Sequence, residues 1–460
     1  MVDRTPTGRS LWLKHVTKRS LNEAWEHIKD GGSAGRDGET PELFAQHLAE
    51  SIRRLNKNLR HDSHHFVPYN QLLKSKGAGK NPRIISIPSV VDRVALRAMA
   101  SFLRAASPDQ VSTRLPQDLV AEVIAELETG RWTSFVKLDI KNFYPSISHD
   151  FLAAVLKKTL RNDRVVDVFM EAVRTPTVPR GAPRPKEREA RGVPQGLAIS
   201  NGLAELTLEH LDRFLASSKD FHALRFVDDI IVLTHAQHSE PIEAEIRNLA
   251  KYAGLEVHDD SSGTAKSSRG LVLDGFDFLG YQFDWPRVTV RSGSVAKIEA
   301  RLARSFTAYK YALKRSPDSE VWAERCKLRL EWHLNLVITG FTLEKRRIGW
   351  LAYFSQIRNQ QLLQHLDAIT QAKSIRFGVR DLHLKSFVRT YRIVSSKRVD
   401  KSGYVPNFDV ISDAEMRHVL TGIFSVSNVE RLTEEEVRAR FLRKIKKLSR
   451  ELEADVPNYR

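Results

Sequence analysis

Asp228 and Asp229 stand side by side in Arg225-Phe226-Val227-Asp228-Asp229-Ile230-Ile231-Val232-Leu233, between two runs of β-forming residues. Runs this apolar read as buried strands, which puts the pair at a hairpin tip facing a cleft. Aspartates held so close repel one another, and a bound divalent cation is the simplest remedy. Asp259-Asp260 serves as an internal control, because it lies in the polar turn Asp-Asp-Ser-Ser-Gly-Thr. Roughly one such dipeptide is expected by chance in a chain of ordinary composition, so the flanks carry the reading. A third carboxylate, Asp139, sits near the end of a strand expected over Phe135 to Ile140, ahead of a turn from Asn142 to Ser146 that carries Tyr144. A strand-end aspartate is more often a turn or cap residue than a ligand, and locally both readings stand.

Cations and glycines mark further candidates. Lys74, Lys76, Lys80 and Arg83 alternate with Gly and Pro before the strand-like Ile84-Ile85-Ser-Ile87. Such a loose basic hairpin suits a polyphosphate, and equally an edge hairpin guarded by lysine. Arg191-Gly192-Val-Pro194-Gln195-Gly196 leads into an apolar helix through Leu215. Its glycines would let a base pair or phosphate approach the backbone, although a plain strand-to-helix turn is the simpler alternative. Lys266 follows the polar turn, and Gly275-Phe-Asp-Phe278-Leu279-Gly280-Tyr281-Gln-Phe283 alternates like a hairpin with its aromatics on one side.

These residues need elements to position them. Ser20-Leu-Asn-Glu23 has a capping-box pattern that would open the first helix, ended by Gly31-Gly32, with a second helix through about Leu59. A helix is expected around 149–173 and another over Pro241 to Gly254, with Leu255-Glu-Val-His258 returning as a strand. From about 294 the chain turns helical and basic, with Trp322, Leu328, Leu330, Trp332 and Leu336 at core positions. Residues 381–410 show short strand-like runs. The last helix starts at Thr433-Glu-Glu-Glu436, with Val437, Phe441, Ile445, Leu448 and Leu452 as its apolar stripe.

Composition bounds the function. The 460 residues suffice for two or three domains, and 41% hydrophobic with 28% charged residues is a globular balance. Lys plus Arg outnumber Asp plus Glu by 73 to 56, a net +17 that favours a polyanionic partner, nucleic acid first. The single cysteine, Cys326, excludes an internal disulfide and any cysteine-rich zinc module. No run approaches the ~18 apolar residues of a membrane span, so a soluble cytoplasmic protein with no membrane partner is expected.

In order, these motifs follow the sequence of bacterial reverse transcriptases of the group II intron and retron type, which the chain resembles over roughly residues 20 to 285. Phe-Val-Asp-Asp, Val-Pro-Gln-Gly and Phe-Leu-Gly-Tyr carry the resemblance together. It implies an α+β right-hand polymerase: fingers and palm with an antiparallel sheet over 1–285, a helical thumb over 286–380 and a basic, mainly α-helical extension over 381–460. It implies RNA-directed DNA polymerase activity with dNTPs, an RNA template or non-coding RNA, and a DNA primer or product; oligomerisation stays open. By similarity Asp139, Asp228 and Asp229, with the Ile140 carbonyl, hold two Mg²⁺ ions, for which Mn²⁺ could substitute. Tyr144 falls at the sugar gate, Lys80 and Arg83 at the triphosphate, Gln195 and Gly196 beside the templating pair. Lys266 matches the lysine after the palm helix, and Phe278, Leu279 and Gly280 the primer grip. Val227 departs from the commoner Tyr-Ala-Asp-Asp. Asn-Ala-x-x-His and Val-Thr-Gly, typical of retron enzymes, are absent, and one cysteine allows no zinc nuclease. The resemblance thus points to free-standing enzymes of abortive infection and phage defence. A maturase-type RNA-binding role, and template-independent or protein-primed synthesis by the same site, remain alternatives.

Overall fold

A computed structural model describes residues 8–29, 31–75, 81–111, 114–183, 190–259, 266–396, 402–454 and 456. The chain divides into two compact units, Met1–Arg114 with Ser134–Arg269, and Leu115–Thr133 with Gly270–Arg460. The architecture is α+β, with mostly antiparallel sheets.

In the first unit, β1 (Tyr69–Lys74) and β2 (Arg83–Ile87) form the antiparallel basic hairpin that the sequence suggested. Its loop at 76–80, and Lys80 with it, lies outside the described residues. The second sheet contains β3 (Ser134–Asp139), while β4 (Thr177–Val178) pairs in parallel with β1. Strands β5 (His222–Phe226) and β6 (Asp229–Thr234) then form a hairpin, and β7 (Ser268–Leu271) completes the sheet in the order β5-β6-β3-β7. All six residues of β3 face β6 in antiparallel register, from Ser134 opposite Thr234 to Asp139 opposite Asp229. The apolar residues of β6 are buried on both faces, which accounts for its unbroken Ile-Ile-Val-Leu run. Ile230 and Val232 join one core with Trp12, Phe102 and Phe169 from the helices. That burial fixes the register, since a one-residue slip would turn the core face outward.

The second unit holds β8 (Phe276–Phe278), β9 (Tyr281–Asp284) and β10 (Arg287–Val290) as one sheet, and the pair β11 (Phe341–Leu343) and β12 (Arg346–Ile348). Phe276 stacks on Phe283 across the first hairpin at 4.7 Å between centroids. Its helices include Pro116–Glu128, Ser292–Leu313, Glu320–Thr339 and Glu434–Glu453. The last begins at a capping box of Thr433 and Glu436, and Val437, Phe441, Ile445, Leu448 and Leu452 are all buried, as the stripe required. Among the described residues no helix is long and apolar enough to cross a membrane.

Several expectations need correction. The helix thought to open at Ser20 is Lys18–Ile28 and is capped by Thr17, while Ser20 Oγ turns back to the Lys14 carbonyl; a separate helix, Gly8–His15, precedes it. The single helix expected around 149–173 is two, His149–Leu160 and Asp163–Arg174, broken where Arg161 takes a positive φ and Asn162 caps the next. Leu255 to His258 form only one β-bridge, Val257 to Ile140. Phe387–Ser395, inside the supposed strand-like stretch, is a helix capped by Ser386. Leu328 is 56% exposed rather than core.

Candidate active site

The register Phe226 opposite Asp229 leaves only Val227 and Asp228 in the β5–β6 turn. Two-residue hairpin turns of this kind demand positive φ, normally supplied by Gly or Asn. Here Val227 supplies it at φ 60°, an uncommon conformation for a β-branched side chain. Asp228 therefore stands at the tip, and Asp229 starts β6 directly across from Asp139. The Asp228 carbonyl accepts from the Ile140 amide at 3.3 Å, which ties the tip to the end of β3.

The charge of Asp139 acts on Asp228. Burial, and then the charge of Asp139, push the Asp228 carboxyl up from its ordinary 3.8 to about 6, with Arg83 and Lys266 opposing. Lys266 Nζ donates to Asp139 Oδ2 at 2.8 Å and to His258 Nε2 at 3.1 Å, and His258 Nε2 lies 3.2 Å from the same aspartate oxygen. Burial and the Lys266 charge hold the imidazole below its ordinary value. The backbone brings His258 there, because its amide donates to the Asp139 carbonyl at 2.9 Å. The Asp139 amide in turn donates to Ser267 Oγ at 3.2 Å.

Tyr144 lies on the short helix Phe143–Ser146, entered through Asn142 at φ 45°. Its hydroxyl donates to Asn201 Oδ1 at 2.8 Å, and its carbonyl accepts from the Val193 amide at 2.8 Å. Burial, then the charge of Asp228, lift its phenol well above the usual range. Gln195 and Gly196 dock on β2: the Ser86 amide donates to the Gln195 carbonyl at 2.7 Å, and a Cβ on Gly196 would meet Ile85 Cγ2 at 2.8 Å. The close approach expected of this glycine is thus to a neighbouring strand. Phe278, Leu279 and Gly280 belong to the second unit, where Leu279 and Gly280 form the positive-φ turn of β8–β9 and Tyr353 Oη donates to the Leu279 carbonyl at 2.9 Å.

Among the described residues no three His, Cys, Asp or Glu side chains form a ready cation cage. The ammonium of Lys266 pairs with Asp139 Oδ2. The donor chemistry nonetheless fits a hard divalent cation. The Asp139 charge raises the cost of ionising Asp228, and carboxylate and carbonyl oxygens suit Mg²⁺ or Mn²⁺.

The structure therefore gathers Asp139, Asp228, Asp229 and Lys266, with the charges of Arg83 and Asp228 reaching Tyr144. Reading the sequence missed His258, Ser267 and Asn201. It also passed over Arg225, whose guanidinium is bound by Asp212 and Glu205. A lone arginine in an apolar strand was the available signal, since such a charge needs buried carboxylate partners. Asp259 is exposed and paired with Lys141 at 3.5 Å and Arg247 at 3.6 Å; Asp260 and the rest of the expected polar turn lie outside the described residues.

Residues 73–283 match the family described as reverse transcriptase (RNA-dependent DNA polymerase). Protein YkfC of Escherichia coli is 22% identical over 217 residues, 44% of this chain and 54% of that protein. An uncharacterized 91 kDa protein in the cob intron of Schizosaccharomyces pombe is 23% identical over 219 residues, 46% of this chain and 26% of its own length. The chain thus spans about half and about a quarter of these two curated relatives. Among solved structures, telomerase from Candida albicans in complex with a telomeric RNA fragment overlays with a TM-score of 0.39 at 14% identity, covering 87% of this chain and 69% of that one. Apo telomerase from Candida tropicalis overlays at 0.36 and 14% identity, covering 55% and 60%.

Proposed function

We propose that this chain, which carries a reverse transcriptase domain over residues 73–283, is an RNA-directed DNA polymerase working at Asp139 and Asp228. One observation carries the reading. Within the matched segment, the end of β3 and the β5–β6 turn bring two carboxylates close enough for one to lift the other. Asp139 and Asp228, with the Ile140 carbonyl and Asp229 in support, would hold two Mg²⁺ ions. Bound there, the ions would supply a more acidic primer 3′-hydroxyl and charge neutralisation on the leaving pyrophosphate. Arg83 and Lys266 would present positive charge to the triphosphate and pyrophosphate, and Lys266 would leave Asp139 to do so. Tyr144 would wall the sugar and disfavour a ribose 2′-hydroxyl.

The same proposal takes 1–285 as fingers and palm, 286–380 as thumb and 381–460 as a basic extension, and places the enzyme in the cytoplasm in phage defence with an associated RNA. Loss of protection in plaque assays with Asp228→Asn would bear on it.

The polymerase reading is tested by Mg²⁺-dependent incorporation of labelled dNTP on primed RNA. Asp139→Asn and Asp228→Asn are each expected to lose at least about a hundredfold, the scale of removing a group that stabilises transition-state charge. Wild-type protein inert with varied primers, templates and metals would sink it.

A further inference from the structure

Arg225 is the last residue but one of β5, and its side chain is 5% exposed. Its Nε and Nη2 grip the two oxygens of Asp212 at 2.6 Å each. Nη2 also reaches Glu205 Oε2 at 2.5 Å. Asp212 lies on the helix Glu209–Leu215 and Glu205 on Ser200–Thr207. The remaining arm, Nη1, curls back to the Val227 carbonyl at 2.8 Å.

That last bond separates this network from an ordinary buried ion cluster. The Val227 carbonyl belongs to the peptide that leads into Asp228, so fixing it fixes the plane from which the Asp228 side chain departs. The opposite carbonyl of the tip, that of Asp228, is held by the Ile140 amide. Between them sits a β-branched residue at φ 60°, a conformation that relaxes unless its surroundings over-determine it. The Val227 side chain is itself buried in the core. An arginine fork can grip both oxygens of one carboxylate and still reach a third acceptor; a lysine cannot.

We propose that Arg225 is a positioning residue that clamps the strained Val227–Asp228 turn and so aims the Asp228 carboxylate at Asp139. The inference rests on the reading of Asp228 as a metal-holding residue. Asp212 and Glu205 serve as the anchor, so the aim of the carboxylate is set from the two helices behind the hairpin.

The test uses the full chain, with Arg225→Lys, Val227→Gly, the double variant and Asp228→Asn. Mn²⁺ affinity is read by electron paramagnetic resonance without substrate, and kcat and KM for dNTP are read with Mg²⁺. Arg225→Lys is expected to weaken Mn²⁺ binding and lower kcat by about tenfold each, the equivalent of about 1.4 kcal/mol, with KM for dNTP little changed. Glycine adopts this φ without steric cost, so in the Val227→Gly background the same change is expected to cost under about threefold, about 0.7 kcal/mol. Should Arg225→Lys not fold, Asp212→Asn loosens the grip while keeping the arginine, and carries the same readouts. A lower melting temperature with Mn²⁺ affinity and kcat within twofold of wild type would overturn the proposal. An equal loss in the glycine background would do so as well. Wild-type Mn²⁺ binding and activity in Asp228→Asn would instead overturn the reading of the site itself.

Discussion

Tyr144 donates to Asn201 at 2.8 Å, and the charge of Asp228 reaches its phenol. A bulky ring discriminates by shape. In the proposed gate role, Tyr144→Ala is expected to lower the ratio of kcat/KM for dNTP over rNTP by tenfold or more, the scale by which pockets discriminate small groups. Unchanged selectivity would show that the gate lies elsewhere. At this scale the sequence was legible wherever the flanks carried the signal. Asp228 and Asp139 sit at strand ends, where apolar runs stop. Lys266 reaches Asp139 although its turn looked unpromising. His258 was not legible, because what delivers it is a backbone hydrogen bond to Asp139, and side-chain patterning does not record such bonds.

Elements were legible where burial imposes a period and obscure where two local signals compete. The Glu434–Glu453 helix followed its stripe, and β6 followed its apolar run. At the N-terminus Thr17 and Ser20 both qualify as caps, and Thr17 wins while Ser20 bonds backward to Lys14. Phe387–Ser395 is rich in β-branched and aromatic residues, yet Ser386 and the carboxylate of Asp367 satisfy its first amides and set it as a helix. Within the Glu320–Thr339 helix, burial and then the Arg301 charge hold His333 down from 6.5 to about 4. A histidine depressed on folding adds stability that is present above 6.5 and lost as pH falls toward 4. His333→Gln is expected to flatten that acid limb by about 2 kcal/mol, allowing for partial exposure. Thermal midpoints of both proteins at pH 7 and pH 4.5 check it, and parallel curves would contradict it.

For the molecule as a whole, the net +17 was plain from composition and remains the strongest argument for a polyanionic partner. Binding through phosphates releases counterions, so affinity for a primer–template duplex is expected to fall at least about tenfold between roughly 50 and 200 mM salt. Fluorescence anisotropy measures it, and a change under twofold would mean that the charge serves another end. The chain turns basic and helical from about 294, and its two compact units part at Arg114, Thr133 and Arg269.

That division has a practical side. The chain leaves the first unit after Arg114, returns after Thr133 and leaves again after Arg269. The helix Pro116–Glu128, with Leu119, Val120, Val123, Ile124 and Leu127 buried, belongs to the second unit although first-unit sequence flanks it on both sides. No single scissors-cut can then yield two sound polypeptides. A fragment ending at Arg269 would keep that helix and lose the rest of its unit, leaving a greasy stripe open to self-association. Dissecting this protein into working parts calls for co-expressed halves or a rewired chain, not truncation.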